Sequence, residues 1–250
     1  VDERTGNVKN YTFRACFIDS FQGIVGVNFA INSLKAKNVA IMTDSSSDYS
    51  KGLTGIFKNA FVGKGGNIVA EEAYLQKDQD YKSILTKIKA KNPDLLYIPG
   101  YYEDVGKIIK QARELGMMVP VLGADAWDSP VLVELAGAQA LNNTFFTNFY
   151  SVEDKNPVSN SFVEAYKKEY GAIPDSMAAM GYDAANLLVD AIRRANSTES
   201  VKIKDALTAT KTFKSVSGEM SLNDTHDAVR GVVIIEMKNG KQVYKETIKP

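Results

Sequence analysis

From residue 39 to residue 149 the chain alternates short β-branched runs with longer segments of helical period. Residues 39–43, 68–74, 95–98, 119–122 and 144–149 have the length and composition of strands. Between them, 50–62, 80–90, 105–115 and 130–136 read as helices, the first closed by Gly63-Lys-Gly-Gly66. Strands alternating with helices of this length build βαβ units around a parallel sheet. Right-handed crossovers then place helices on both faces. An earlier strand is expected at 13–17 and a helix at 21–34. The first ten residues are polar, as in a linker or a fragment end.

After Tyr150 the rhythm breaks. Residues 159–170, 175–195 and 201–210 read as three helices with no strand between them. Strands at 214–222, 229–238 and 242–247 follow, joined by Asn/Asp/Gly turns that include Asn239-Gly240. Three helices without an intervening strand need another body to pack against.

The parallel-sheet pattern also focuses attention on strand ends. Three apolar runs stop and are followed at once by aromatic and acidic residues: Asp44 to Tyr49, Pro99 to Asp104, and Gly123 to Asp128. In open α/β sheets ligands bind outside the carboxyl ends of the strands. Tyr49, Tyr101, Asp125 and Trp127 therefore converge on the edge where a ligand belongs. Turn and cap chemistry accounts for some of these residues, since Asp and Ser favour loops and Asp128-Ser129-Pro130 is a helix start. Aromatic faces attract cations, and a carboxylate bonds strongly to an ammonium group. Asp125 with Tyr49 and Tyr101 suits a primary amine such as an amino acid; tyrosine and tryptophan also suit sugars.

Other chemistry has little to stand on. His226 is the sole histidine and is expected to be solvated in the polar turn Asn223–Asp227; Cys16 sits in an apolar pattern as a small hydrophobe. No catalytic residue, metal ligand set or cofactor is expected. Gly63-Lys-Gly-Gly66 lacks the Lys-Ser/Thr ending of a phosphate-binding loop and precedes a strand. Lys plus Arg and Asp plus Glu both number 30, so the charge balance gives no support to a nucleic-acid partner. No run approaches the roughly 20 apolar residues of a membrane span.

Several motifs occur together and in order: Arg14-Ala-Cys-Phe-Ile-Asp19-Ser-Phe-Gln22-Gly23, Asp48-Tyr49-Ser-Lys-Gly52-Leu53, Pro99-Gly-Tyr-Tyr102, Gln111-Ala-Arg113, Gly123-Ala-Asp-Ala-Trp127-Asp-Ser129, Tyr166-Lys-Lys-Glu-Tyr-Gly171 and Tyr182-Asp-Ala-Ala185. With them the chain resembles, from about Tyr11 to Tyr244, the leucine/isoleucine/valine-binding proteins. These are substrate-binding proteins of ABC importers with the type I periplasmic-binding-protein fold. The resemblance implies an α/β fold with one doubly wound parallel-sheet lobe and part of a second lobe. Residues 11–150 would form the ligand-binding second lobe, 151–212 helices of the first lobe, and 213–250 the returning strands and hinge crossing.

By the same resemblance, a full-length member carries roughly another hundred residues before Tyr11, the size of a lobe. They would supply the first lobe's sheet and the groups that hold an amino acid's carboxylate. Tyr49, Tyr101 and Asp125 match the family's second-lobe ligand contacts, with Asp125 meeting the ammonium. Trp127 and Asp19 are candidates at the cleft and hinge, and Met177 near the ligand side chain. The implied function is capture of a small amino acid, branched-chain or related, by lobe closure. Delivery would be to the permease of an ABC importer, outside the cytoplasm, in the periplasm or lipid-anchored at the cell surface. The complete protein would be a monomer and not an enzyme. The rival expectations are a receptor for a sugar, amide or non-protein amino acid, a sensory domain on the same fold, or a doubly wound enzyme.

Overall fold

The computed structural model describes residues 5–154, 156–216 and 218–249, so the first four residues of the expected polar N-terminal stretch lie outside it. In chain order the elements are α1 (Asp19–Asn32), β1 (Asn38–Asp44), α2 (Asp48–Gly63), β2 (Asn67–Tyr74), α3 (Lys82–Lys89), β3 (Leu95–Tyr97), α4 (Tyr102–Glu114), β4 (Val121–Gly123), a single 3-10 turn (Asp125–Trp127), α5 (Pro130–Ala136) and β5 (Thr144–Asn148). There follow α6 (Pro157–Tyr170), α7 (Ser176–Ala195), α8 (Ser200–Thr208), β6 (Phe213–Ser215), β7 (Gly218–Leu222), β8 (Ala228–Val229), β9 (Val232–Lys238) and β10 (Lys241–Ile248). The chain divides into two compact units. One comprises Asp19–Asn148 and Val233–Glu246; the other comprises Val1–Ile18, Phe149–Val232 and Thr247–Pro250.

The first unit is the α/β sheet that the alternation predicts. Its strand order is β10-β9-β5-β4-β3-β1-β2. β1 pairs in parallel with β2 and β3, β3 with β4, and β4 with β5, whereas β9 joins β5 antiparallel. The order 2-1-3-4-5 is doubly wound, with its switch point between β1 and β3. Strands covered on both faces read as continuous apolar runs, and β3, β4 and β5 are buried along their whole length. Successive side chains alternate between the faces. Ala40, Met42, Leu96 and Ile98 enter a core with Leu85, Ile88, Ile108 and Ile109 of α3 and α4. On the opposite side Phe57 of α2 stacks on Tyr97 at 3.9 Å, and Phe29 of α1 meets Phe145 at 5.3 Å. The edge strand β2 carries Glu71 and Glu72, paired with Lys58 and Lys87, a charged surface that discourages further strand pairing. Asn239 and Gly240, both at positive φ (51° and 76°), turn β9 into β10 as a two-residue hairpin requires.

In the second unit α7 and α8 pack on the small antiparallel sheet β6-β7-β8. Leu187, Ala191 and Leu207 meet Met220, Leu222 and Ala228 in one core. Tyr150, Phe162, Val163, Ala179 and Val216 form a second. Helix ends follow their sequence signals: Asn156 and Asp175 cap α6 and α7, and Gly171 and Asn196 end them in the left-handed conformation.

Three expectations are corrected here. Residues 13–17 form no strand: the Arg14 N–H donates to the His226 carbonyl at 3.2 Å, and the Ala15 carbonyl accepts from Arg230 Nη1 at 2.9 Å. His226 is not solvated but 6% exposed, stacked on Phe13 at 4.0 Å with its ring nitrogens against Thr12 O and Thr208 Oγ1. The expected strands at 214–222 and 229–238 each split, the second where Arg230 turns its side chain inward to Asp183.

Candidate functional site

Four of the six site candidates, Tyr49, Tyr101, Asp125 and Trp127, lie just past the carboxyl ends of β1, β3 and β4, beside the switch point. Tyr49 lies in the first turn of α2, where Ser47 caps the helix by accepting from the Ser50 N–H. Tyr101 occupies the N-cap position of α4. Asp125 opens the 3-10 turn that follows β4. These loops bring the three side chains together. The Tyr49 hydroxyl donates to Asp125 Oδ1 at 2.5 Å. The rings of Tyr49 and Tyr101 lie 5.5 Å apart at 36°, and Tyr101 is exposed.

Trp127 lies beneath the cluster. It is fully buried, and its indole N–H donates to the Ile98 carbonyl at 3.2 Å, tying the 3-10 turn to the end of β3. Its ring presses so closely on Gly123 that a Cβ there would come within 2.0 Å of it. Glycine at that position is thus what lets the tryptophan seat and Asp125 emerge. Asp19 is exposed at the start of α1, and its charge is felt at the Tyr97 hydroxyl. Met177 belongs to the other unit, exposed in the first turn of α7.

Three participants escape the sequence patterns. Gln22, buried in α1, donates from Nε2 to Asp125 Oδ1 at 2.5 Å and to Thr147 Oγ1 at 2.8 Å. Tyr97 is buried below, and its phenol is held well above its usual range by burial first, then by Asp125 and Asp19. The third is Thr147 itself, from β5. The motif 14–23 contains Gln22, but nothing in its local pattern distinguishes it from an ordinary helix residue. Burial and the neighbouring Asp125 charge likewise push the Tyr49 phenol far above its ordinary value, so it stays a hydrogen-bond donor at any physiological pH.

Among the described residues Asp125 forms no salt bridge, and no cluster of His, Cys, Asp and Glu is arranged to hold a metal ion. The arrangement presents a carboxylate, held by neutral donors, beside two tyrosine rings. Chemically it fits a cationic or multiply hydrogen-bonding small ligand.

Known proteins give this geometry a context. A family model described as periplasmic binding protein matches residues 1–242. The Leu/Ile/Val-binding protein homolog 3 of Brucella melitensis is 30% identical over 218 residues, covering 86% of this chain and 58% of that protein. The leucine-specific-binding protein of Salmonella typhimurium is 24% identical, over 80% of this chain and 57% of its own length. The chain thus spans less than two thirds of the curated relatives it matches. Among solved structures, the leucine-binding protein LivK of Thermotoga maritima superposes with a TM-score of 0.89 at 38% identity, over 98% of this chain and 69% of that one. The branched-chain amino acid transporter substrate-binding protein LivJ of Streptococcus pneumoniae, in complex with isoleucine, gives 0.89 at 35% identity, over 97% and 68%. A match spanning nearly the whole sequence, on a doubly wound sheet that superposes this closely, means that the chain belongs to the periplasmic binding protein family, with the type I fold.

Proposed function

We propose that this chain is the larger part of an extracytoplasmic receptor that captures a small amino acid, branched-chain or related, for an ABC importer. The unit containing Asp19–Asn148 is its ligand-binding lobe. One observation carries the reading: Asp125 sits at the sheet's carboxyl edge against Tyr49, whose ring lies beside Tyr101, with two neutral donors on one oxygen and no salt bridge among the described residues. A carboxylate in such a setting lacks a cation, and the α-ammonium of an amino acid supplies one. Aromatic rings beside it add attraction for the same charge. The relatives support the ligand class: one is named for leucine, isoleucine and valine, and one solved neighbour holds isoleucine. The protein acts by binding, with no catalytic step, and passes its ligand to a membrane permease.

Calorimetric titration of the full-length protein with each standard amino acid tests this. Heat with leucine, isoleucine, valine or a close analogue is expected. Absence of heat with all of them would remove the amino-acid reading and leave a neutral polar solute as the ligand class.

A further inference from the structure

Gln22 is the least expected member of the cluster. It is 2% exposed, on α1, and a primary amide buried this deeply is costly unless hydrogen-bonded. Its Nε2 carries two protons, and both are spent: one on Asp125 Oδ1 and one on Thr147 Oγ1. Gln22 therefore joins three elements, α1, the 3-10 turn after β4, and β5. The amide has one workable orientation. Turned over, its Oε1 would face the carboxylate oxygen, lone pair against lone pair. Even as it stands, Oε1 is buried with no hydrogen-bond partner among the described residues, so the orientation is retained at a cost.

Tyr49 and Gln22 donate to the same oxygen, Oδ1. Among the described residues Oδ2 accepts no hydrogen bond. Two donors on one oxygen fix the carboxyl rotation and present the other oxygen. Both donors are uncharged, so they orient Asp125 without neutralising it. A lysine in place of Gln22 would also donate, but would take the place of the ligand's cation.

We infer that Gln22 is a positioning residue that, together with Tyr49, locks Asp125 with Oδ2 outward and its charge unspent. It thereby sets the preference for an ammonium group over a neutral hydroxyl on the same ligand skeleton. The inference rests on the amino-acid reading above.

The test compares L-leucine with 2-hydroxy-4-methylpentanoate, its hydroxy-acid counterpart, on the full-length protein. Gln22→Met keeps the length of the side chain and removes the donor. It should lower the leucine-to-hydroxy-acid affinity ratio by about tenfold, the usual weight of a hydrogen bond to a charged group. Gln22→Lys should lower the ratio further, because it brings its own cation to Asp125. Thr147→Val, a milder change should either substitution fail to fold, releases the amide from its second anchor and should lower the ratio in the same direction by less. Equal losses for both ligands, with the ratio unchanged, would overturn the inference while leaving the amino-acid reading intact, since Gln22 would then only fill space. If the unsubstituted protein binds no amino acid, the reading falls and this inference with it.

Discussion

Asp125 and Asp183 are two carboxylates held in opposite ways. Asp183, in the second unit, is 1% exposed and lies 3.4 Å from an equally buried Arg230. It also accepts the Val216 N–H at 2.8 Å. Burial pushes its carboxyl up, and the Val216 N–H and Arg230 only partly offset this. Arg230 is likewise drawn down by burial, with Asp183 opposing. Asp125, in the first unit, is half-buried and held by an amide and a phenol. The difference separates two jobs. A carboxylate that holds the fold brings its cation with it and excludes water. A carboxylate that waits for a cation is oriented by groups that carry no charge.

Breaking the pair in the second unit should have the largest effect on folding. Arg230→Met leaves Asp183 buried without its cation, which typically costs about 3–5 kcal/mol. Urea denaturation of the full-length protein should show that loss, and adding Asp183→Leu should recover much of it. If Arg230→Met were harmless, the pair would not be the structural element described. Asp125→Asn is the reciprocal experiment. Asparagine still accepts from Tyr49 and Gln22, so stability should move by less than about 1 kcal/mol. Leucine affinity should fall on the order of a hundredfold, because the ammonium loses its charged partner. A stability loss comparable to that of Arg230→Met would show that Asp125 holds the fold after all.

The same contrast explains what the sequence disclosed. β1, β3 and α5 were legible because their signals are local: continuous apolar runs for the strands, and Ser129-Pro130 for the helix start. β4 begins later than its apolar run because the Val119 carbonyl is taken by the Arg113 guanidinium and Pro120 has no N–H to give to the ladder, although its carbonyl already accepts from Leu96 of β3. Tyr49, Tyr101 and Asp125 could be gathered because parallel strands place their carboxyl ends side by side, whatever the distance in sequence. Gln22 could not, since its two partners lie 103 and 125 positions away and a buried amide in a helix has no periodic signature. His226 misled for the same reason. Its neighbours in sequence are polar, but the ring that covers it is Phe13, from the other end of the chain.

A smaller step sharpens the account of Asp125. Tyr49→Phe removes one of the two donors on Oδ1 and leaves Gln22 in place. Leucine affinity should fall roughly tenfold, with the ring contact to Tyr101 kept. A loss as large as that of Asp125→Asn would mean that the phenol itself meets the ligand.

Asp104 supplies the smallest effect and a control for the whole comparison. Like Asp125 it lies in the first unit and is held by neutral donors, the Lys77 N–H at 3.0 Å and the Tyr81 hydroxyl at 3.1 Å. Unlike Asp125 it is buried, 4% exposed at the start of α4. Burial raises its carboxyl above the ordinary value; Lys77, Tyr81 and Lys107 pull the other way, and Asp44 adds to the rise. A carboxyl raised in the folded state favours folding when protonated. Its contribution is complete below the unfolded value, about pH 4, and is lost as pH climbs through the raised folded value. Asp104→Asn keeps an acceptor for both donors and removes the charge. The variant should therefore gain stability over the parent as pH rises from 4 toward 7, and the two curves should converge on acidification. Denaturation midpoints across that range measure it. A parent protein that instead gained on the variant with rising pH would mean that Asp104 prefers to be charged in the fold, and that its two neutral donors with the Lys107 charge outweigh burial here.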